Sequence, residues 1–274
     1  MILVVASNRD VAALNIAGQI LKNYNFKEAE QRFQENPVYH AEINEKIVKL
    51  VTLSRESIYA QDLTDFFSDV ELAVFISRHS SGSGTATLSV HTPGNLGDAE
   101  LGGISRKVSI SPANAMRDAL RAMVRLKSEM HLDYQVSYEG THHGPSLDVP
   151  TMFTELGSSA QQWNDAKAAE AVAFATMEAV AKFGKFSART VLGIGGPHYN
   201  NKFTRIAVEK EMAFGHMIPK YAIPGVDSGI LGQCIERTLE KVESAVLDWK
   251  GIKGEDKQQL VEKLTKIGIS FEKV

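Results

Sequence analysis

Ile2-Leu3-Val4-Val5-Ala6, followed by Ser7-Asn8-Arg9-Asp10 and then Val11-Ala12-Ala13-Leu14, carries the fold in miniature. An apolar run of strand length ends in a polar turn. Asp10 then stands where it can cap a helix whose Val11, Leu14, Ala17 and Leu21 share one face. The unit recurs along the chain. Runs at Ile47 to Leu53, Leu72 to Ile76, Thr85 to Val90, Tyr134 to Tyr138, Val149 to Leu156, Thr190 to Ile194 and Ala245 to Trp249 predict strands. Helical spacing lies between many of them. Ser111-Pro112 predicts an N-cap with proline at the first helical position, and Met116, Leu120, Met123 and Val124 form the apolar stripe that follows. Further helices are expected over Asn164 to Phe183, Asp227 to Leu239 and Glu255 to Lys266. Such alternation predicts an α/β protein, three-layer α/β/α, around a mixed, mostly parallel sheet. His79 to Val108 is rich in glycine, serine and threonine, and reads as an irregular lobe or crossover within a single domain spanning 1–274.

The composition sets bounds on function. With 274 residues, 43% of them hydrophobic, the chain can bury a substantial core, and a net charge of −3 does not by itself announce a nucleic-acid binder. No run of 18 apolar residues occurs, and Met1 to Val5 lacks a preceding basic segment, so neither a membrane span nor a signal peptide is expected. One cysteine, Cys234, cannot form an internal disulfide, which fits a reducing, cytoplasmic setting.

Chemistry concentrates in Tyr138-Glu139-Gly140-Thr141-His142-His143-Gly144-Pro145. A carboxylate and two imidazoles fall within five positions, bracketed by glycines. Arg78-His79, His91, His198-Tyr199 and Gly215-His216 sit in similar polar settings at expected element ends. In open α/β sheets, ligands gather beyond the carboxyl ends of strands, so His79, the Glu139–His143 cluster and the Gly195–His198 loop are expected at one sheet edge. Imidazoles and carboxylates suit zinc, with His142, His143, His198, Glu139 and Glu155 as candidate ligands, although no His-Glu-x-x-His is present. Neighbouring side chains on an extended strand point apart, so one of the two adjacent histidines could instead bond the backbone.

Gly193-Ile194-Gly195-Gly196-Pro197-His198 lacks the ending of a Walker A loop and the third glycine of a dinucleotide fingerprint. Its backbone N–H groups at Gly195 and Gly196 could instead approach a ligand. Arg117, Arg121 and Arg125 recur at every fourth position and form either a solvated face or a ladder for phosphates, which Lys250 could extend.

Taken with Ser77-Arg78-His79-Ser80, His91-Thr92-Pro93-Gly94-Asn95, Glu155-Leu156-Gly157-Ser158-Ser159, Ala213-Phe214-Gly215-His216 and Asp248-Trp249-Lys250-Gly251, these stretches resemble the archaeal- and plant-type D-aminoacyl-tRNA deacylases, the D-tyrosyl-tRNA deacylase family with a GEK1-like domain. Pro197 departs from the family's usual glycine. The resemblance implies a phosphorylase/hydrolase-like fold, zinc, and hydrolysis of the ester joining a D-amino acid to the acceptor end of tRNA. By the chemistry of the residues themselves, His142, His143, His198, Glu139 and His79 are the candidates for catalysis, and His142, His143, His198 and Glu155 those for metal. Gly195, Gly196, Tyr199, Arg78, His91 and His216 would contact substrate, and Arg117, Arg121, Arg125 and Lys250 would contact tRNA. Tyr199 or Phe203 could stack the terminal adenine. No obligate protein partner is expected. A metal-dependent peptidase, a phosphorylase-like nucleosidase and a non-catalytic RNA-binding protein are the competing readings.

Overall fold

The computed structural model describes residues 1–185 and 187–274. Its elements run β1 (Ile2–Ser7), α1 (Val11–Asn23), β2 (Lys27–Phe33), β3 (Asn36–Ile43), β4 (Lys46–Leu53), α2 (Leu63–Phe66), β5 (Leu72–Ser80), β6 (Thr87–His91), α3 (Ala113–Glu129), β7 (Gln135–Tyr138), β8 (Thr151–Ser158), α4 (Ala160–Trp163), α5 (Ala166–Lys182), β9 (Arg189–Ile194), α6 (Asn201–Glu209), β10 (Met212–Ile218), α7 (Ser228–Glu236), β11 (Val242–Leu247), α8 (Gly254–Lys266) and β12 (Phe271–Lys273). They form two sheets. The larger has the order β2-β3-β4-β1-β5-β8-β6-β7 and the smaller β10-β9-β11-β12. β1 pairs in parallel with β4 and β5, and β5 with β8, whereas β6 runs antiparallel to β8. The smaller sheet is parallel throughout.

β1 shows why a continuous apolar run suits the centre of such a sheet. Ile2, Val4 and Ala6 enter the core under the helices, while Leu3 and Val5 enter a second core on the opposite face. A strand buried on both sides needs no polar alternation. α1, α3 and α5 cover the first face, and α7 and α8 cover the smaller sheet around Ile230, Leu231, Leu260 and Leu264. The expected mixed, mostly parallel α/β architecture is thus the observed one.

Details differ where tertiary contacts overrule local pattern. Asp10 caps α1 as expected, accepting from the Ala13 N–H at 3.0 Å. The helix nevertheless turns Val11 and Leu14 outward, 48% and 45% exposed, and buries Ala12, Ala13, Ile16, Ala17 and Ile20. Small residues at the contact let α1 lie close to the alanine-rich α5. Ser111 does not cap α3. The Glu240 carboxylate does so, accepting the Ala113 and Asn114 N–H groups at 3.0 Å each. β5 extends to Ser80 and β6 occupies Thr87–His91, so the irregular segment runs over 92–112 rather than from His79.

Candidate active site

β5, β8 and β6 lie side by side, and their register sets the floor of a cleft. Ser77 and Ser89 both align with Glu155, and His79 aligns with Gly157. A Cβ at Gly157 would sit 2.5 Å from the His79 Cβ, so glycine is what lets this histidine lie flat against β8. Ser77 donates to Glu155 Oε1 at 2.6 Å. His91, at the end of β6, is fully buried and stacks on Phe153 with centroids 5.0 Å apart.

Glu139 extends β7, its N–H donating to Val90 O at 3.1 Å. The following loop is laced to the loop after β9: Gly140 N–H donates to His198 O at 2.8 Å, and Asn200 N–H to Tyr138 O at 3.1 Å. The convergence expected at one edge therefore draws on both sheets. Glu139 is its hub. With its side chain fully buried, it has Oε2 at 3.0 Å from His198 Nε2 and 3.7 Å from His142 Nε2, and Oε1 at 3.2 Å from His79 Nδ1.

Both histidines of the adjacent pair face the site. His143 adopts a left-handed backbone, φ 43°, which abolishes the alternation of an extended chain and brings the two rings to 4.2 Å. A non-glycine residue held there costs energy and commonly marks a functional site. Their tautomers follow from their partners. His142 Nδ1 meets Gly140 O at 2.8 Å and His143 Nδ1 meets Gly144 O at 2.7 Å. A carbonyl only accepts, so each Nδ1 carries the hydrogen and each Nε2 keeps its lone pair. Burial, together with the neighbouring histidines, lowers both pKa values, that of His143 to about 4.

His79 is the opposite case. Burial opposes its charge, but the hydrogen bonds and charges of Glu139 and Glu155 prevail and raise its pKa to about 11. It is an imidazolium between two carboxylates, with Glu155 lowered to about 2 because His79 and His91 outweigh its burial. Tyr199 OH lies 2.7 Å from His79 Nε2. Both nitrogens of His91 are buried without a hydrogen bond, and the His142 Nε2 lone pair faces a carboxylate oxygen. Such orphaned acceptors suit a cation. Three sets of ligand atoms lie close enough to hold one: His91, His142 and His143; Glu139, His142 and His198; and His79, Glu139 and Glu155.

The cleft above this cluster encloses about 450 Å³ and is also lined by Asp10, Glu56, Arg78, Tyr59, Leu101 and Phe153. Arg78 is fixed from both ends. Its N–H donates to Asp10 Oδ2 at 2.7 Å, and its guanidinium bonds Glu56 and Arg9 O at 3.0 Å. The residue that caps α1 thus also anchors the site.

Several expected site residues lie elsewhere. Gly195 donates its N–H to Ile218 O at 2.8 Å, leaving it no hydrogen for substrate, and Gly196 packs against Asn200 and Asp248 outside the cleft. Phe203 is core, stacked on Phe214. Arg117 is buried and donates to Ala207 O and Lys210 O, so it cannot meet a phosphate. Arg121 pairs with Glu211, and Arg125 with Glu129 and Glu178, in a cleft lined by none of the histidines. Lys250 lines another, with Lys202, Arg205 and Lys210. The reason is phase: position 117 faces α6, and acidic neighbours consume the remaining stripe.

His216 is also not at the cleft. It is buried in β10, with Nε2 donating toward Ser109 O and Arg237 O and Nδ1 at 3.2 Å from Thr141 Oγ1, so neutral imidazole leaves neither ring nitrogen unpartnered. Burial lowers its pKa to about 4. Unfolded chains take up this proton near pH 6.5 and the folded chain only near 4, so stability falls as pH drops through that window, by up to roughly 3 kcal/mol from this residue. His216→Gln should flatten the pH dependence of urea unfolding between 6.5 and 4; an unchanged slope would contradict the assignment. Among residues the sequence did not mark, the structure adds Ser77, Glu56, Leu101 and Tyr221, whose hydroxyl lies 3.0 Å from His198 Nδ1.

The family model for D-aminoacyl-tRNA deacylase matches residues 66–272. A D-aminoacyl-tRNA deacylase of Thermococcus kodakarensis is 37% identical over 99% of this chain and 99% of its own. That of Pyrococcus furiosus is likewise 37% identical, with the same coverage. The crystal structure of AF0625, a conserved protein of unknown function, superposes with a TM-score of 0.88 at 28% identity, covering 100% of this chain and 95% of that one.

Proposed function

The chain belongs to the D-aminoacyl-tRNA deacylase family, and from that premise we propose that the cluster around Glu139 is where it hydrolyses the ester of D-aminoacyl-tRNA. The observation that carries the assignment is a buried carboxylate contacted by His79, His142 and His198 at the floor of an open cleft.

Glu139 Oε2 accepts the His198 Nε2 hydrogen. This fixes the ring and its tautomer, leaving the lone pair on Nδ1, as an orienting carboxylate does for an imidazole that carries a proton in the reaction. His198 Nδ1 then serves as base for water and returns the proton to the leaving 3′-oxygen. Water oxygen bonds to the ester carbon, the bond from that carbon to the 3′-oxygen breaks, and free tRNA and D-amino acid depart. His79, as imidazolium, keeps Glu139 ionised and in place. The carboxylates of Glu56, Glu139 and Glu155 complement the α-ammonium of the acyl group. With amine and α-carbon held, the L enantiomer directs its side chain into the cleft wall, and repulsion discriminates.

Zinc suits the same residues. His142, His143 and His91, or Glu139, His142 and His198, would hold it. When bound, it would polarise the ester carbonyl or acidify water, lowering the water pKa to about 7. Among the described residues no helix is long and apolar enough to cross a membrane, and a tRNA substrate fits a cytoplasmic setting. Purified protein incubated with D-tyrosyl-tRNA should release D-tyrosine at least about 10²-fold faster than it releases L-tyrosine from the L ester. Equal rates would overturn the chiral reading, and no release from either would overturn the deacylase reading.

A further inference from the structure

The catalytic ridge has two sides. His142, His143 and Leu101 line both the cleft above Glu139 and a second one of about 250 Å³, whose far wall is Tyr221 and whose rim carries Asp98 and Glu100. Tyr221 is 61% exposed and Leu101 54%. Single exposed apolar side chains are ordinary. This tyrosine, however, is held in place. Its turn is pinned by Lys220 N–H donating to Gly196 O and Ala222 N–H to Pro219 O, each at 2.9 Å. Its hydroxyl bonds His198 Nδ1, and its ring lies at 27° to that imidazole with centroids 6.3 Å apart. One face of a fixed aromatic ring is thus presented to solvent beside the group that handles the leaving oxygen.

We propose that this second cleft is the subsite for the terminal adenosine of tRNA, its base stacked on Tyr221 and Leu101, with the ester lying across the His142–His143 ridge. The inference rests on the deacylase reading and divides the substrate in two. An aminoacyl ester has an acyl half bearing an ammonium and an alkoxy half bearing a flat purine, joined at the reacting carbon. The carboxylate-rich cleft complements the cation. The aromatic one complements the purine, since every base offers a π-face to such a ring. Asp98 and Glu100 supply acceptors for a ribose hydroxyl or the exocyclic amine. The 3′-oxygen then falls next to His198 Nδ1 and the Tyr221 hydroxyl, where its proton must arrive. Tyr199, by contrast, is committed to His79.

The trinucleotides CCA and CCU serve as probes, with binding read by calorimetry on wild type, Tyr221→Phe and Tyr221→Ala. CCA should bind wild type more tightly than CCU and should inhibit deacylation of D-tyrosyl-tRNA competitively. Y221A should weaken CCA binding by roughly 5- to 150-fold, the range for losing one stacked base, whereas Y221F, which keeps the ring, should retain it. Equal affinity for CCA and CCU, or CCA binding unchanged in Y221A, would overturn the subsite. Turnover of D-tyrosyl-tRNA by wild type is scored separately. If turnover is absent while CCA binding is selective, the deacylase reading fails instead.

Discussion

Chelation is expected to lower the deacylation of D-tyrosyl-tRNA by at least about 10²-fold, with recovery on adding zinc, and His142→Ala/His143→Ala protein is expected to retain no stoichiometric zinc. The expectation comes from hydrogen placement. Gly140 O and Gly144 O claim the Nδ1 hydrogens of the two histidines, so both Nε2 lone pairs point into the site. Neither ring takes up a proton near neutrality, because burial and the neighbouring histidines hold both pKa values down. A neutral imidazole oriented by a backbone carbonyl is the form that binds metal, and perturbing even such orienting partners commonly costs 10–100-fold. Loss of the ion itself should cost at least the upper end of that range. Elemental analysis beside the rate measurement decides the matter. Metal-free protein of undiminished activity would show that His198 and Glu139 suffice.

Much of the fold was legible because the main strands declare themselves by apolar runs and the helices by spacing. The exceptions share a cause. β2 reads Lys27-Glu28-Ala29-Glu30-Gln31-Arg32-Phe33, a polar edge strand almost wholly exposed, whose charges guard the sheet border and hide it from any search for hydrophobicity. β10 contains Gly215 and His216, which read as a loop but lie buried in the smaller sheet. The cap of α3 comes from Glu240, 127 residues away from Ala113, where local pattern pointed to Ser111.

At the site, the density of titratable groups in Glu139–His143 identified the hub, and strand ends at His79 and His198 completed it. Sequence could not show that His143 takes a left-handed backbone and so aims both rings one way. Nor could it show that Arg117 turns inward, or that Tyr221, in a stretch without any motif, covers His198. Each of these depends on contacts between distant segments.

Glu139→Gln is expected to lower single-turnover hydrolysis of D-tyrosyl-tRNA by about 10³–10⁴-fold, the scale found when a carboxylate that orients a proton-transferring imidazole loses its charge. The substitution keeps volume and shape in a fully buried position, so packing changes little. What changes is charge. His198 loses the carboxylate that accepts its Nε2 hydrogen, and His79 is left with Glu155 alone. An amide nitrogen at this position also places hydrogens where His198 requires an acceptor. The measurement that tests the account most directly is therefore the single-turnover rate of E139Q on D-tyrosyl-tRNA, with near-ultraviolet circular dichroism confirming the fold. A loss of 10³-fold or more is predicted; a rate within threefold of wild type in folded protein would contradict it.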